Sequence, residues 1–149
     1  MVFWVSLIVV GMVVAIDGDG CADKVKFQGG CHCGRVRFEV ESNLPIEVER
    51  CNCSICSMSG YLHLIVPRSR FSILSGEEHL NTYTFNSGVA QHYFCQTCGI
   101  KPFYVPRSNP DGMDVNANCL DEQPTDMVVV EFDGQNWEKN AHKLAHKTG

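Results

Sequence analysis

The sequence predicts a mainly β domain, built from short antiparallel strands and stapled by zinc. Three observations carry that expectation. Apolar and polar residues alternate over many short stretches, and turn residues separate those stretches. Only residues 136–143 have helical character. Most of the cysteines fall in tight clusters, at the separations chelation requires.

The strands are taken in chain order. Val36, Phe38 and Val40 alternate with Arg35, Arg37, Glu39 and Glu41, which gives one buried and one wet face. Ile46 and Val48 alternate with Glu47 and Glu49 and lead into Cys51. Residues 61–66 form a strand stopped by Pro67, and residues 71–74 one that ends at Ser75-Gly76. Residues 82–85 and 90–94 flank Asn86-Ser87-Gly88, a hairpin signal. Residues 103–105, 113–117 and 127–132 complete the set, and the last closes at Asp133-Gly134. The helix expected over 136–143 is short.

A chain of 149 residues forms one domain with a real core. Its 44% hydrophobic and 19% charged content excludes disorder. The net charge is −5 and no basic run occurs, so no direct nucleic-acid partner is expected. No sequence feature specifies an oligomeric state. Residues 2–16 are apolar apart from Ser6 and Gly11. That is shorter than the ~20 residues of a membrane-spanning helix and has the length of a signal-peptide core, although no Lys or Arg precedes it. Residues 1–23 are read as an apolar leader (signal, anchor or buried strand) with a Gly- and Asp-rich linker, and residues 24–149 as the zinc-binding domain. Reduced thiols favour a cytoplasmic or nuclear location. A secretory or membrane-anchored one, and any membrane contact, would come only through the leader.

Nine cysteines cannot all pair as intramolecular disulfides. Cys51, Cys53 and Cys56 lie in one loop, where three sulfurs can hold one ion at ~2.3 Å and leave a fourth corner open, as a catalytic zinc requires. The alternatives are a partly free cluster or a closed site completed from elsewhere. Cys31 and Cys33, with Cys95 and Cys98, form two halves of a four-sulfur site, each half followed by a glycine. A shared zinc there would be structural; two redox pairs or disulfides are the alternative. His32 points away from the metal in an extended C-x-C. His63 and His92 sit in strands and are read as hydrogen-bonded core or surface histidines, His79, His142 and His146 as solvated. Cys119 is read as a small buried side chain and Cys21 as the odd cysteine. Arg107, in the proline-rich loop 106–112, is the cation placed to meet a ligand carboxylate.

The stretches Gly29-Gly30-Cys31-His32-Cys33-Gly34-Arg35-Val36-Arg37-Phe38, Cys51-Asn52-Cys53-Ser54-Ile55-Cys56, Phe94-Cys95-Gln96-Thr97-Cys98-Gly99, Pro106-Arg107-Ser108-Asn109-Pro110 and Asn118-Cys119-Leu120-Asp121 together resemble the glutathione-dependent formaldehyde-activating enzyme family. The resemblance is nearest to its branch related to centromere protein V and runs from about Lys24 to about Trp137. It implies an Mss4-like, tent-shaped β fold and two zinc ions per chain. The structural zinc would sit on Cys31, Cys33, Cys95 and Cys98, the catalytic one on Cys51, Cys53 and Cys56. It implies a carbon–sulfur lyase that joins glutathione and formaldehyde into S-hydroxymethylglutathione, with glutathione or another small thiol as partner. The animal branch also includes a chromosome-associated protein, so a zinc-stabilised interaction module associated with chromatin or cytoskeleton is the alternative.

Overall fold

The computed structural model describes residues 23–149. The readings of the leader and of Cys21 lie outside the described residues. The mainly β expectation holds. Among the described residues there are ten strands in two sheets. In chain order they are β1 (Lys24–Gly30), β2 (Arg37–Asn43), β3 (Ile46–Cys51), β4 (Leu62–Pro67), β5 (Phe71–Ser75), β6 (Leu80–Tyr83), β7 (Gln91–Cys95), β8 (Phe103–Val105), β9 (Gly112–Asn116) and β10 (Met127–Phe132). The smaller sheet has the order β1-β2-β5 and the larger β10-β3-β4-β9-β8-β7-β6. Every pairing is antiparallel except β10 with β3, which runs parallel from Met127↔Ile46 to Phe132↔Cys51.

The two sheets meet on aromatic rings. Phe38 and Phe71 of the smaller sheet are stacked 5.9 Å apart, and Phe103 of the larger sheet packs edge-on to Phe71 at 4.8 Å and to Phe38 at 5.8 Å. Val36, Val40, Ile46, Val48 and Val115 close the core around them with no exposed surface. Edge-to-face geometry of this kind adds to the area each ring removes from water.

Alternation fails at one expected position. Glu49 was placed on the wet face of β3, yet it is 4% exposed, because Lys147 reaches it from the far end of the chain at 2.5 Å. A charge is buried only where a partner answers it.

The hairpin at residues 86–88 forms, with Asn86 and Gly88 both at positive φ and β6 antiparallel to β7. Helix lies in two places. The expected C-terminal one is α2 (Trp137–Asn140), continued by a 3₁₀ segment over Ala141–Lys147. The other, α1 (Ser54–Ser59), forms where the sequence predicts a loop. No helix among the described residues is long and apolar enough to cross a membrane.

Candidate functional site

Four thiols meet where the turn after β1 approaches the turn after β7. The ligand atoms of Cys31, Cys33, Cys95 and Cys98 all lie within 4.8 Å of one another. Cys33 Sγ is 3.5 Å from Cys31 Sγ and 3.7 Å from Cys95 Sγ. Gly34 (φ +78°) and Gly99 (φ +74°) each take the left-handed conformation that turns the chain back after a pair. The Val36 amide donates to Cys31 Sγ at 3.3 Å. Burial opposes ionisation of Cys98, but backbone N–H groups of Cys33 and Ile100 outweigh it and bring the thiol down to about 6. The group bridges the smaller sheet and the larger one.

The second group forms at the end of β3. Cys51 closes the strand, Cys53 sits at the N-cap of α1, and Cys56 is the buried residue of that helix. The turn at 133–136 clamps this loop through Asn52. Its Nδ2 donates to Asp133 Oδ1 at 3.0 Å, and its Oδ1 accepts from the Gln135 amide at 3.0 Å. Gly134 presses on the cluster. A Cβ there would collide with Cys51 Sγ and lie 3.1 Å from the Cys53 Cβ. The neighbouring thiols of Cys51 and Cys56 hold the Cys53 pKa well below the usual thiol range, and the Cys53 amide donates to Cys51 Sγ at 3.5 Å.

The residue that sequence reasoning set aside here is His63. Its ring nitrogen and the sulfurs of Cys51 and Cys56 lie within 4.8 Å of one another. The sequence expectation drew the set as Cys51, Cys53 and Cys56; Cys53 lies beside the geometric group, and His63 completes it. His63 stands on β4, opposite Glu49 of β3. Its Nδ1 is 2.7 Å from Asp114 Oδ2, and its Nε2 is buried without a hydrogen-bond partner. Burial pulls the imidazole pKa down, but the Asp114 carboxylate more than offsets it, so the net direction is up. The only sequence signal for this pair was a histidine and an aspartate in two separate strands, and strand pairing is not readable from spacing alone.

A cleft of about 910 Å³ opens over the second group. Cys51, Cys53, Cys56 and His63 are among the residues that line it. Phe85 and His92, from the β6–β7 hairpin and β7, also line it, as do Arg107 and Trp137. His92 stacks on Tyr104 at 4.6 Å and 10° between planes. Burial, aided by the charge of Lys101, pushes the His92 pKa down to about 4, so it is neutral near pH 7. Arg107 donates to Glu138 at 2.9 Å and lies 5.4 Å from the Trp137 ring centre. His32, His142 and His146 are exposed, and His79 is partly so. Cys119 is half-buried and meets the Lys101 carbonyl at 3.8 Å.

Both groups fit metal ions by donor chemistry. Clustered thiols and a buried imidazole nitrogen with no partner are a soft donor set that zinc accepts.

A family model described as glutathione-dependent formaldehyde-activating enzyme matches residues 26–138. A Halomonas elongata protein, provisionally named for that same activity, is 33% identical over 79 residues, with 48% of this chain and 50% of that one covered. The chain therefore spans about half the length of the curated relative it matches. The crystal structure of a Rhodobacter sphaeroides protein is 37% identical, with a TM-score of 0.61 over 66% of this chain and 91% of that chain.

Proposed function

The chain belongs to the glutathione-dependent formaldehyde-activating enzyme family, and on that premise we propose that it joins glutathione to formaldehyde and catalyses the reverse carbon–sulfur cleavage. The observation that carries this reading is the cleft of about 910 Å³ with three cysteines in its wall. A surface built only for protein docking has no need of such a cavity behind its thiols.

In this reading Cys31, Cys33, Cys95 and Cys98 hold a structural zinc, and Cys51, Cys53 and Cys56 a catalytic one. Zinc bound there supplies a lowered thiol pKa, and so a thiolate at neutral pH. The residues of the chain do the rest. The cleft receives the glutathione sulfur beside the trio and removes water from around it. Trp137 and Phe85 offer apolar walls to the tripeptide. Arg107 exchanges its exposed partner Glu138 for a glutathione carboxylate. Formaldehyde enters against a sulfur already fixed in place, which replaces a bimolecular encounter by a local one. One C–S bond forms from the sulfur's electron pair, and the C=O π pair moves to oxygen. The thiol proton is lost from sulfur, and one proton is gained by that oxygen, which gives S-hydroxymethylglutathione.

The test is calorimetric titration of zinc-loaded protein with glutathione in two buffers of different ionisation enthalpy. Proton release on binding, absent in Cys53→Ser, is the expected result. No binding at millimolar glutathione by fully loaded protein would overturn the enzyme reading and leave a zinc-stabilised interaction module.

A further inference from the structure

We propose that His63, through Nε2, is the fourth and displaceable ligand of the metal held by Cys51, Cys53 and Cys56. It occupies the corner when no thiol is present and yields it to the substrate sulfur. The inference rests on the reading above that these cysteines hold a metal.

The first argument is an unanswered nitrogen. His63 is 5% exposed, and its Nε2 has no hydrogen-bond partner, whereas buried polar atoms are nearly always satisfied. A metal ion accounts for that atom, because a coordinated nitrogen needs no hydrogen bond. The second argument is the other nitrogen. Nδ1 is 2.7 Å from Asp114 Oδ2, and Asp114 has no exposed surface. That contact places the proton on Nδ1 and leaves the Nε2 lone pair bare, as in carboxylate–histidine–metal arrangements. The third is distance. The ring and the sulfurs of Cys51 and Cys56 fall within 4.8 Å of one another, the scale of ligand separations around a single ion. The fourth is orientation. Tyr61 lies 4.7 Å and Tyr104 6.0 Å from the ring centre, and the Tyr61 hydroxyl donates to the Asp114 carbonyl at 2.8 Å. The Tyr104 hydroxyl also lies 3.5 Å from Nδ1, so the polar contacts of the ring are made through Nδ1 while Nε2 has none. Cys51 and Cys56 come from a strand end and a short helix, whereas His63 stands on an inner strand of the larger sheet. This ligand is thus held by β4 and by Asp114 of β9, not by the α1 turn that carries Cys53 and Cys56, so its exchange for a substrate sulfur leaves that turn in place.

The experiment is NMR on the full chain, loaded with ¹¹³Cd and labelled with ¹⁵N at histidine. The expected result is two cadmium signals, one of them coupled to a histidine Nε2, with the coupling lost in His63→Ala and lost again when glutathione saturates the wild-type protein. In His63→Ala the second cadmium should bind more weakly while the four-cysteine signal is unmoved. Asp114→Asn should loosen the same ion by about 10–100-fold. Cadmium bound at the Cys51 cluster without coupling to His63 overturns this inference and leaves the three-cysteine reading intact. Coupling that persists under saturating glutathione overturns the displacement. Folded protein that takes cadmium only at the four-cysteine site overturns both readings at once.

Discussion

Cutting the two thiol clusters should have unequal effects on stability, and the inequality can be worked from sequence separation. Cys33 and Cys95 are 62 residues apart and join the two sheets. Cys51 and Cys56 bracket a loop of about six residues. A cross-link stabilises by removing closure entropy from the unfolded chain. The loop relation gives about 4 kcal/mol for the long loop and about 2 kcal/mol for the short one. The first figure approaches the whole stability of a small domain, roughly 5–15 kcal/mol, and metal–ligand enthalpy adds to both. The comparison is Cys95→Ser with Cys98→Ser against Cys51→Ser with Cys56→Ser, each double variant supplied with zinc. Urea unfolding followed by circular dichroism reads the difference. The first variant should be unfolded or aggregated and the second folded, with a lowered midpoint and about one zinc. Equal midpoints, or a first variant as stable as wild type, would refute the division into a staple and a local site.

Three further outcomes are expected. Gly134→Ala should cost about 1–3 kcal/mol in thermal unfolding and lower metal occupancy of the Cys51 cluster alone, because the new Cβ meets Cys51 Sγ. Arg107→Ala should weaken glutathione by about 1.5–3 kcal/mol if the contact is a charged hydrogen bond, with both metals retained, as measured by titration calorimetry and metal analysis. Asp121 accepts a bidentate hydrogen bond from Arg37, which holds its carboxyl below the ordinary value of 3.8. That stabilisation is fully present above 3.8 and is lost as pH falls through the lower, folded value. Arg37→Ala should therefore flatten the acid limb of stability against pH below about 4 and leave the slope above pH 5 unchanged, as read from urea midpoints across that range.

Features written in local spacing were legible; those that depend on distant partners were not. The gathering of Cys31, Cys33, Cys95 and Cys98 followed from two close pairs, each with a glycine that permits the turn. Strand β2 followed from alternation, since it buries Phe38, Val40 and Ser42 and leaves the residues between them partly wet, whereas its neighbour β1 (Lys24–Gly30) was not among the expected strands. Alternation carried no information on β4, where both faces are covered and Leu62 through Val66 are all buried. That is why His63 looked like any strand histidine: Asp114 is 51 residues away, on β9. Glu49 looked wet for the same reason, since Lys147 is 98 residues on. The helix α1 escaped because six residues carry no apolar period, and its stop is a left-handed Gly60 that reads equally well as a turn.

The clamp on Asn52 has a consequence for the order in which the molecule is made. Cys51, Cys53 and Cys56 lie within six residues, but the groups that hold their loop down, Asp133 and Gln135, are 81 and 83 residues further along. Contacts between near neighbours form ahead of contacts between distant ones. A chain leaving the ribosome at ~5–20 residues per second displays the three thiols for several seconds before the 133–136 turn exists to shelter them. During that interval they are three adjacent sulfurs on an unfinished surface, open to oxidation in pairs. The same separation means that the clamp on this loop is among the last contacts the chain can complete.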